Sequence, residues 1–417
     1  MRVRQFIILV VWLMIRCGFS VLPLSAQTPC GSMPNRVLPA AVDVDALPKT
    51  IVTIPVVVHV VWYNEAQRIS EEQVRSQIDV LNEDFRALNS DISQVLPYYL
   101  SNEVAADMEI QFALATTDPE GQPHSGIIYR ETSVPGIGRI QNGRRQVCHS
   151  ELGGSDAWCT RCFLNIWVCD LGVEGLAGIG VFPSQVGNEV PEEEDGVFIQ
   201  PSRFGRIGNV ESPYDLGRTT THEIGHYLNL LHPWGAVVPP VDCPPSVCCN
   251  DPQYDDGVDD TEKQIWTYQG ECPAGSVASC PIRDNYQNFM GYANDACALM
   301  FTQGQKTRAR AALFNERGSL LATDCLQMCH VATEEPSRSI PLITHLHYQT
   351  GWLHWQTPSW EATWLIYDLH GRQWAFHTTH AEGAQSIDVS ELPSGIYLLA
   401  GIAEQQMEVQ KFVISRK

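Results

Sequence analysis

Three histidines and a glutamate stand close together near the middle of the chain. His222, Glu223 and His226 form an HExxH motif, and His232 follows six residues after the second histidine. Residues four apart lie on one face of a helix, so His222 and His226 can present their imidazoles to a single Zn²⁺ ion. His232 can join them only if the helix ends and the chain turns sharply, and Asn229 tolerates the left-handed conformation that such a turn needs. The spacing therefore predicts a zinc site with three histidine ligands.

These residue types suit the hydrolysis of a peptide bond. Three protein ligands leave one position for a water molecule whose pKa a bound Zn²⁺ lowers, and the ion also polarises a substrate carbonyl. Glu223 points into the same cleft, where it can take the proton of the water and pass it to the leaving amine. Ordinary core histidines are a poor alternative, because three imidazoles and a carboxylate are costly to bury without a cation.

Two other functions are compatible with the motif. A catalytically idle adhesin could keep this fold for binding, although the intact Glu223 and all three histidines argue against it. A metal-dependent amidase acting on a non-protein substrate would use the same residues, and assays on peptides and on non-protein amides would separate the two enzymes. We predict a secreted zinc endopeptidase whose partners are protein or peptide substrates.

The residues around the motif predict an α/β (α+β) domain with a twisted mixed β-sheet above a cleft. Residues 51–61 are rich in β-branched side chains and predict a buried strand. A capping-box pattern at Ser70 and Gln73 opens an amphipathic helix. Further short strands are predicted at 108–114, 164–168 and 197–199. The segment from about 233 to 297 is rich in Pro, Gly, Asp and Cys, which predicts an irregular region.

Charge and the first residues place the protein outside the cell. The chain has 417 residues and a net charge of −21, which makes a nucleic-acid or anionic-membrane partner unfavourable. A basic start followed by the apolar run 6–15 predicts a signal peptide over residues 1–26, cleaved after Ala26. No second long apolar run follows, so the sequence predicts no membrane span.

The cysteine content agrees with export. Fourteen cysteines in an exported chain favour disulfides over reduced thiols. Cys159 and Cys162 form a CxxC pair, but no second pair follows at zinc-ribbon spacing, so disulfide use is favoured over metal binding. Loss of Cys17 with the signal peptide leaves an odd number, which predicts that one cysteine has no permanent partner.

A second composition change predicts a second domain at the C-terminus. Residues 334–337 have the character of a linker, and short strand-like segments such as 362–368 and 395–400 follow it, separated by turn signals. We therefore predict a catalytic domain over residues 50–333 and an all-β sandwich over 336–417.

Five separate stretches carry a resemblance to the pappalysin family of metzincin zinc endopeptidases. Together they span roughly residues 50 to 310, and they are 54–61, 76–85, 163–168, the zinc motif and 288–292. The resemblance implies that Met290 forms the methionine turn beneath the metal. It also implies that Tyr292 can swing towards the zinc and stabilise the tetrahedral intermediate.

The same resemblance implies a calcium site. Residues 256–261 resemble the calcium-binding segment of the family, which implies Asp256 and Thr261 as ligands with help from the Val258 carbonyl. A solvated acidic loop is the alternative. The acidic run 192–195 is a poorer candidate, because a contiguous run usually forms a solvated face.

Disulfides and a specificity pocket are implied as well. The resemblance pairs Cys272 with Cys297, and pairs Cys280 with one of Cys243, Cys248 or Cys249. Members of the family take a basic residue just after the scissile bond through an acidic pocket. Asp295 could supply that charge here, although Ala296 follows it.

Cys30 precedes the catalytic domain in what we interpret as a short propeptide over residues 27–49. A thiolate is a good fourth zinc ligand, so Cys30 is a candidate for capping the metal and keeping the enzyme latent. An ordinary disulfide from Cys30 is the alternative. Removal of the propeptide after Arg36 or Lys49 would leave twelve cysteines, all able to pair.

The C-terminal domain carries its own resemblance. Residues 364–372, 387–398 and 411–414 are similar to the C-terminal sorting domain of type IX secretion cargo. This implies the secretion machinery as a partner and a secreted or cell-surface location. A carbohydrate-binding module is the alternative, because Trp352, Trp355 and Trp360 could stack on sugars if exposed.

Overall fold

The computed structural model describes most of the chain. The described residues are 30–32, 48–322, 325, 343–349, 351–357, 362–368, 373–379, 383–403 and 406–414. The predicted signal peptide with Cys17, most of the predicted propeptide with Arg36, the linker at 334–337 and Trp360 lie outside them. The chain divides between residues 329 and 330 into two compact units, which are described separately.

The first unit is built on one twisted mixed sheet. Its strands are β1 (Val52–Trp62), β2 (Ile110–Leu114), β3 (Ile127–Glu131), β6 (Leu164–Val168), β7 (Gly178–Gly180) and β8 (Val197–Ile199), while β4 (Ile140–Gln141) and β5 (Arg144–Arg145) form a separate hairpin. The order is β2-β1-β6-β8-β7, with β3 also paired to β1. Strands β2, β3, β6 and β8 run in the same direction, and only β7 in this sheet is antiparallel to its neighbour β8. Strand β7, which has only three residues, is the last in this order and forms an edge of the sheet.

Five α-helices are described in this unit, and three of them contribute residues to the core beside the sheet. The five helices are α1 (Glu71–Asp84), α2 (Pro97–Ser101), α3 (Arg218–Tyr227), α4 (Pro245–Cys248) and α5 (Gln303–Asn315). Helix α1 begins where the sequence predicts, because the Ser70 side chain accepts a hydrogen bond from the backbone N–H of Gln73. Its buried residues Val74, Ile78 and Leu81 join the core formed by β1, β6 and α3. The mixed α/β architecture is confirmed.

The region from 233 to 297 has one short helix, α4, and is held together by cross-links. The structure joins Cys243 to Cys248, Cys249 to Cys280 and Cys272 to Cys297. Cys162 bonds to Cys325, and Cys159 is also disulfide-bonded. The CxxC pair thus serves disulfides.

The predicted cysteine count needs correction. Among the described residues, Cys30, Cys148 and Cys169 carry free thiols, so more than one cysteine lacks a disulfide. Cys148 and Cys169 lie in one buried apolar cluster, and burial raises the pKa of both thiols. Counting cysteines as odd or even cannot show that two of them stay unpaired in the same core.

The second unit consists of two antiparallel sheets. Its strands are β9 (Thr344–Gln349), β10 (Trp352–Thr357), β11 (Ala362–Asp368), β12 (Gln373–Thr379), β13 (Gly383–Asp388), β14 (Gly395–Ala403) and β15 (Gln406–Ile414). They form the sheets β13-β10-β9 and β12-β11-β14-β15. Trp355 is buried in the core beside Trp364, while Trp352 is exposed. A sugar platform that uses Trp355 is therefore wrong, because alternation along β10 turns that ring inward.

No helix among the described residues is both long and apolar enough to cross a bilayer.

Candidate zinc centre and active-site cleft

Helix α3 and the turn after it bring the three histidines together. His222 and His226 lie one turn apart on α3, and the helix ends after Tyr227. Asn229 then adopts a φ of 68°, as the sequence predicts, and carries the chain back towards the helix. The Nε2 atom of His226 lies 3.1 Å from Nε2 of His222 and 3.2 Å from Nε2 of His232.

Hydrogen bonds on the far side of the rings fix which nitrogen is free. The Nδ1 atom of His222 donates to the carbonyl of Phe289 at 2.8 Å, and Nδ1 of His226 donates to the carbonyl of Leu230 at 2.7 Å. A carbonyl only accepts, so Nδ1 carries the proton and Nε2 presents a lone pair. Burial lowers the pKa of His222 to about 4 and the pKa of the other two rings well below the ordinary value.

This donor set fits Zn²⁺. Neutral imidazole lone pairs that meet at 3.1 to 3.2 Å repel one another unless a cation lies among them. Cys30 completes a tetrad, since its sulfur and one ring nitrogen of each histidine all lie within 4.8 Å of one another. Nitrogen and thiolate donors in fourfold sets are the ligands that zinc prefers.

The segment around Cys30 occupies the cleft as an added piece of strand. Cys30 forms a parallel bridge with Gly178, and the N–H of Gly31 donates to the Gly178 carbonyl at 3.0 Å. Cys30 is buried with a free thiol. Burial and the nearby Glu223 carboxylate raise the pKa of this thiol.

Ser32 makes a second contact that the sequence did not reveal. Its hydroxyl donates to Oε2 of Glu223 at 2.9 Å and accepts from the N–H of Gly180 at 2.7 Å. The Cys30 thiol lies 3.5 Å from the same carboxylate oxygen. Burial raises the pKa of Glu223 to about 8, although both hydrogen bonds act to lower it. No local pattern marks Ser32, because its partners are more than a hundred residues away in the chain.

Met290 and Tyr292 both lie beside the histidine cluster. A Cβ atom on Gly225 would stand 2.2 Å from the Met290 sulfur, so the methionine packs directly against α3 between the two helical histidines. The Tyr292 ring lies 4.9 Å from the His232 ring, and its hydroxyl interacts with the Cys30 thiol. Trp234, which the sequence did not single out, stacks on His232 at 4.9 Å with an interplanar angle of 8°.

A pocket opens beside Glu223 and leads to Asp295. Its lining includes Tyr214, Arg218, Tyr292 and Asp295. The Asp295 carboxylate accepts from the N–H of Leu216 at 2.7 Å, and burial raises its pKa to about 6. These contacts hold the carboxylate in the wall of the pocket.

Arg218 is shared between Asp295 and two other acidic side chains. Its guanidinium donates to Asp91 at 2.8 Å and lies 3.7 Å from Asp84. Its Nη1 donates to the backbone carbonyl of Asp295, and its backbone N–H donates to the Asp295 carboxylate at 3.3 Å. Two other acidic side chains therefore engage the cation next to Asp295.

The candidate calcium residues carry oxygens that lack partners. Asp256 is buried, and its Oδ1 atom accepts from the N–H of Val258 at 2.9 Å. Within the described residues, its Oδ2 atom and the buried Thr261 hydroxyl have no hydrogen-bond partner. Burial raises the pKa of Asp256. Orphaned hard oxygens of this kind fit a Ca²⁺ ion.

The acidic run 192–195 is not a uniformly solvated face. Glu192 and Glu193 are exposed, but Glu194 accepts from His149 at 2.8 Å and Asp195 is paired with Arg317. Buried partners, rather than water or calcium, therefore account for half of the run.

Comparisons with known proteins identify the two units. Residues 153–314 match the Peptidase_M43 family model, described as pregnancy-associated plasma protein-A. Residues 353–415 match the secretion system C-terminal sorting domain. An extracellular metalloprotease of Arthroderma gypseum is 27% identical over 296 residues, which cover 68% of this chain and 83% of that protein.

Solved structures from Tannerella forsythia are also similar. A promirolysin variant is 38% identical with a TM-score of 0.58, and the match covers 66% of this chain and 85% of that chain. Mature mirolysin in complex with a cleaved peptide is 38% identical with a TM-score of 0.58, covering 67% of this chain and 98% of that one.

Proposed function

The chain belongs to the pappalysin family of secreted zinc metalloendopeptidases, and we propose that His222, His226 and His232 hold its zinc while Glu223 is the general base. One observation carries the ligand assignment. Backbone carbonyls accept hydrogen bonds from Nδ1 of His222 and His226, so that the Nε2 lone pairs of these two rings meet at 3.1 Å.

Metal analysis tests the ligand assignment. One zinc per processed chain is expected, and the His232→Ala variant should lose the metal. A His232→Ala variant that keeps both zinc and activity would overturn the ligand set.

The residues of the cleft divide the work of peptide hydrolysis. When bound, Zn²⁺ activates a water and polarises the scissile carbonyl. Glu223 accepts a proton at Oε2 and delivers it to the leaving amine. Tyr292 places its hydroxyl next to the histidine cluster, where it can donate to a developing oxyanion. The N–H of Gly180, on the edge strand β7, binds the main chain of the substrate once Ser32 has left.

The form described here is latent under this proposal. Cys30 supplies the fourth zinc ligand, and Ser32 donates to the oxygen of Glu223 that must receive the proton of the water. Both residues reach the cleft through the short strand that pairs with Gly178. Proteolysis after Arg36 or Lys49 would release this segment.

Latency is tested in the unprocessed full-length protein. Cys30→Ser and Ser32→Ala should each raise peptide cleavage before processing, and the processed enzymes should be equal because neither residue remains. Recovery of Cys30 in a disulfide, or an unprocessed wild type as active as the processed form, would contradict the proposal.

The pocket at Asp295 favours a basic side chain just after the scissile bond. The support is an acidic group in the pocket wall whose neighbouring cation, Arg218, is already engaged by Asp91 and Asp84. A cleavage profile on a peptide library is the test. Arg or Lys should dominate that position, and a preference for apolar residues there would refute this specificity.

The orphaned oxygens support a structural Ca²⁺ ion bound by Asp256 and Thr261, with the Val258 carbonyl as a further ligand. Arg308 donates to the carbonyls of Asp256 and Gly257, which fixes the loop next to the site. The ion would stabilise the region from 233 to 297 and would not take part in the reaction.

Residues 336–417 serve as the sorting domain, and the catalytic domain spans residues 50–333. The sorting-domain match from 353 to 415 supports this division, and so does the separate core around Trp355 and Trp364. The partner of this domain is the secretion machinery.

A further inference from the structure

Arg317 is a buried cation that contacts both elements of the catalytic cleft. It follows helix α5, and its exposed fraction is 6%. Its Nε donates to the carbonyl of Tyr227 at 2.8 Å, and its Nη2 donates to the carbonyl of Val181 at 3.0 Å. Tyr227 is the last residue of α3 and directly follows His226, whereas Val181 directly follows strand β7.

A bidentate ion pair completes the arrangement. Nη1 of Arg317 donates to one oxygen of Asp195 at 2.6 Å and Nη2 donates to the other at 3.1 Å. Asp195 precedes Gly196, whose carbonyl accepts from the N–H of Val181 at 3.1 Å and so continues the pairing of β7 with β8. The guanidinium also lies over the Tyr227 ring, with its carbon 3.4 Å from the ring centroid.

Strand β7 and helix α3 approach each other closely at two glycines. A Cβ atom on Gly180 would stand 2.1 Å from the Glu223 carbonyl oxygen, and one on Gly178 would stand 2.6 Å from Cγ of Glu223. The absence of side chains at Gly178 and Gly180 permits this close contact. It does not hold strand β7 at a set position relative to the helix. The contacts of Arg317 with Tyr227 and Val181 supply that restraint.

We propose that Arg317 is a positioning residue that sets the distance between strand β7, which holds the main chain of the substrate, and the helix that carries Glu223 and His226. The inference rests on the proposed zinc and base assignments. A peptide bond displaced by a fraction of an ångström from its base and metal reacts much more slowly, although the peptide still binds. The planar fork of arginine spans three acceptors at once, which the point charge of lysine cannot do.

The chain offers a matched control in helix α5, which Arg317 follows. Arg310 is 3% exposed, donates to the carbonyls of Glu109 and Thr50 at 3.0 Å, and lies 3.6 Å from the Glu109 carboxylate. Its contacts are with the residues just before β1 and the segment before β2, away from the cleft. Arg317→Lys and Arg310→Lys therefore remove comparable buried hydrogen bonds in two different places.

The first measurement is steady-state kinetics of the processed enzymes, well below their melting temperatures. Arg317→Lys should lower kcat about tenfold or more with KM changed less than about threefold, while Arg310→Lys should keep kcat within about twofold. Equal losses in both variants, or a kcat of Arg317→Lys within about twofold of wild type, would overturn the proposal. The second result would mean that Arg317 only neutralises Asp195.

The second measurement does not depend on activity. Hydrogen–deuterium exchange should accelerate in Arg317→Lys for peptides covering 178–181 and 224–228, and in Arg310→Lys for peptides covering 108–114. Exchange is read in the same samples whether or not they cleave peptides, so positioning is judged separately from the zinc assignment. Unchanged protection of both cleft segments in Arg317→Lys would refute it.

Discussion

The two walls of the cleft are built by different means. The upper wall is strand β7, which is hydrogen-bonded to β8, with helix α3 packed closely against its glycines. The lower wall is the segment 233–297, which contains one short helix and three disulfides.

The proposed catalytic groups are divided between these walls. The helix of the upper wall carries His222, Glu223 and His226, whereas the lower wall carries Met290, Tyr292 and Asp295. Under the proposed roles, the base and two of the three zinc ligands sit on regular structure, while the groups proposed to select the substrate and assist the reaction sit on cross-linked loops. Rigid elements position a metal and a base more accurately than loops do.

The largest effect is expected from Glu223, on the helix of the upper wall. Glu223→Ala should lower kcat by about 10²–10⁴-fold or more, because the proton carrier is lost. Zinc content and melting temperature should stay close to those of wild type, since the carboxylate is not a ligand. Metal analysis and calorimetry beside the kinetics check this, and comparable turnover with one zinc bound would remove Glu223 from the mechanism.

The second-largest effect is expected from calcium removal, which should destabilise the lower wall and leave the upper wall unchanged. Chelation by a calcium-selective agent should lower the free energy of unfolding, by about 2.7 kcal/mol relative to protein in Ca²⁺ at a hundred times its Kd. Exchange should accelerate in peptides from the lower wall around Asp256 and not in those from α3, and activity should fall without loss of zinc. Asp256→Asn should abolish the response. If the melting temperature does not change when Ca²⁺ is added back after chelation, the calcium assignment is wrong.

Specificity should depend on pH through the lower wall. Burial raises the pKa of Asp295 to about 6, so its carboxylate is ionised above that pH and becomes neutral below it. The ratio of kcat/KM for a peptide with Arg after the scissile bond to one with Gln there should fall about tenfold from pH 7.5 to pH 5. The ratio cancels the titration of Glu223, which both substrates share. A ratio that stays constant over this range would separate Asp295 from substrate selection.

The smallest effect on catalysis is expected from a change outside both walls. Deletion of residues 336–417 should leave kcat and KM of the processed enzyme within about twofold, because the second unit has its own core. The truncated chain should accumulate in the periplasm of a host with the type IX system. Normal surface appearance of that chain, or tight glycan binding by the isolated domain, would contradict the sorting role.

The upper wall was largely predictable. The period of the apolar residues in β1 and α1, the cap at Ser70 and the HExxH spacing are local patterns, and the turn at Asn229 follows from the tolerance of asparagine for positive φ. Local patterns report backbone hydrogen bonding and burial of one face, which is how this wall is made. The resemblance to a known family then supplied the roles proposed for Met290 and Tyr292.

The fold class, the helix with the HExxH motif and the reaction could therefore be predicted from the sequence. Which distant groups meet that helix depends on the tertiary structure. Ser32 reaches Glu223 across 191 positions, and Arg317 reaches Asp195 across 122. Cys148 and Cys169 stay unpaired in one core although counting pairs them. Such contacts depend on where the packed sheet and loops bring side chains in space, and no periodicity or spacing along the chain encodes that position.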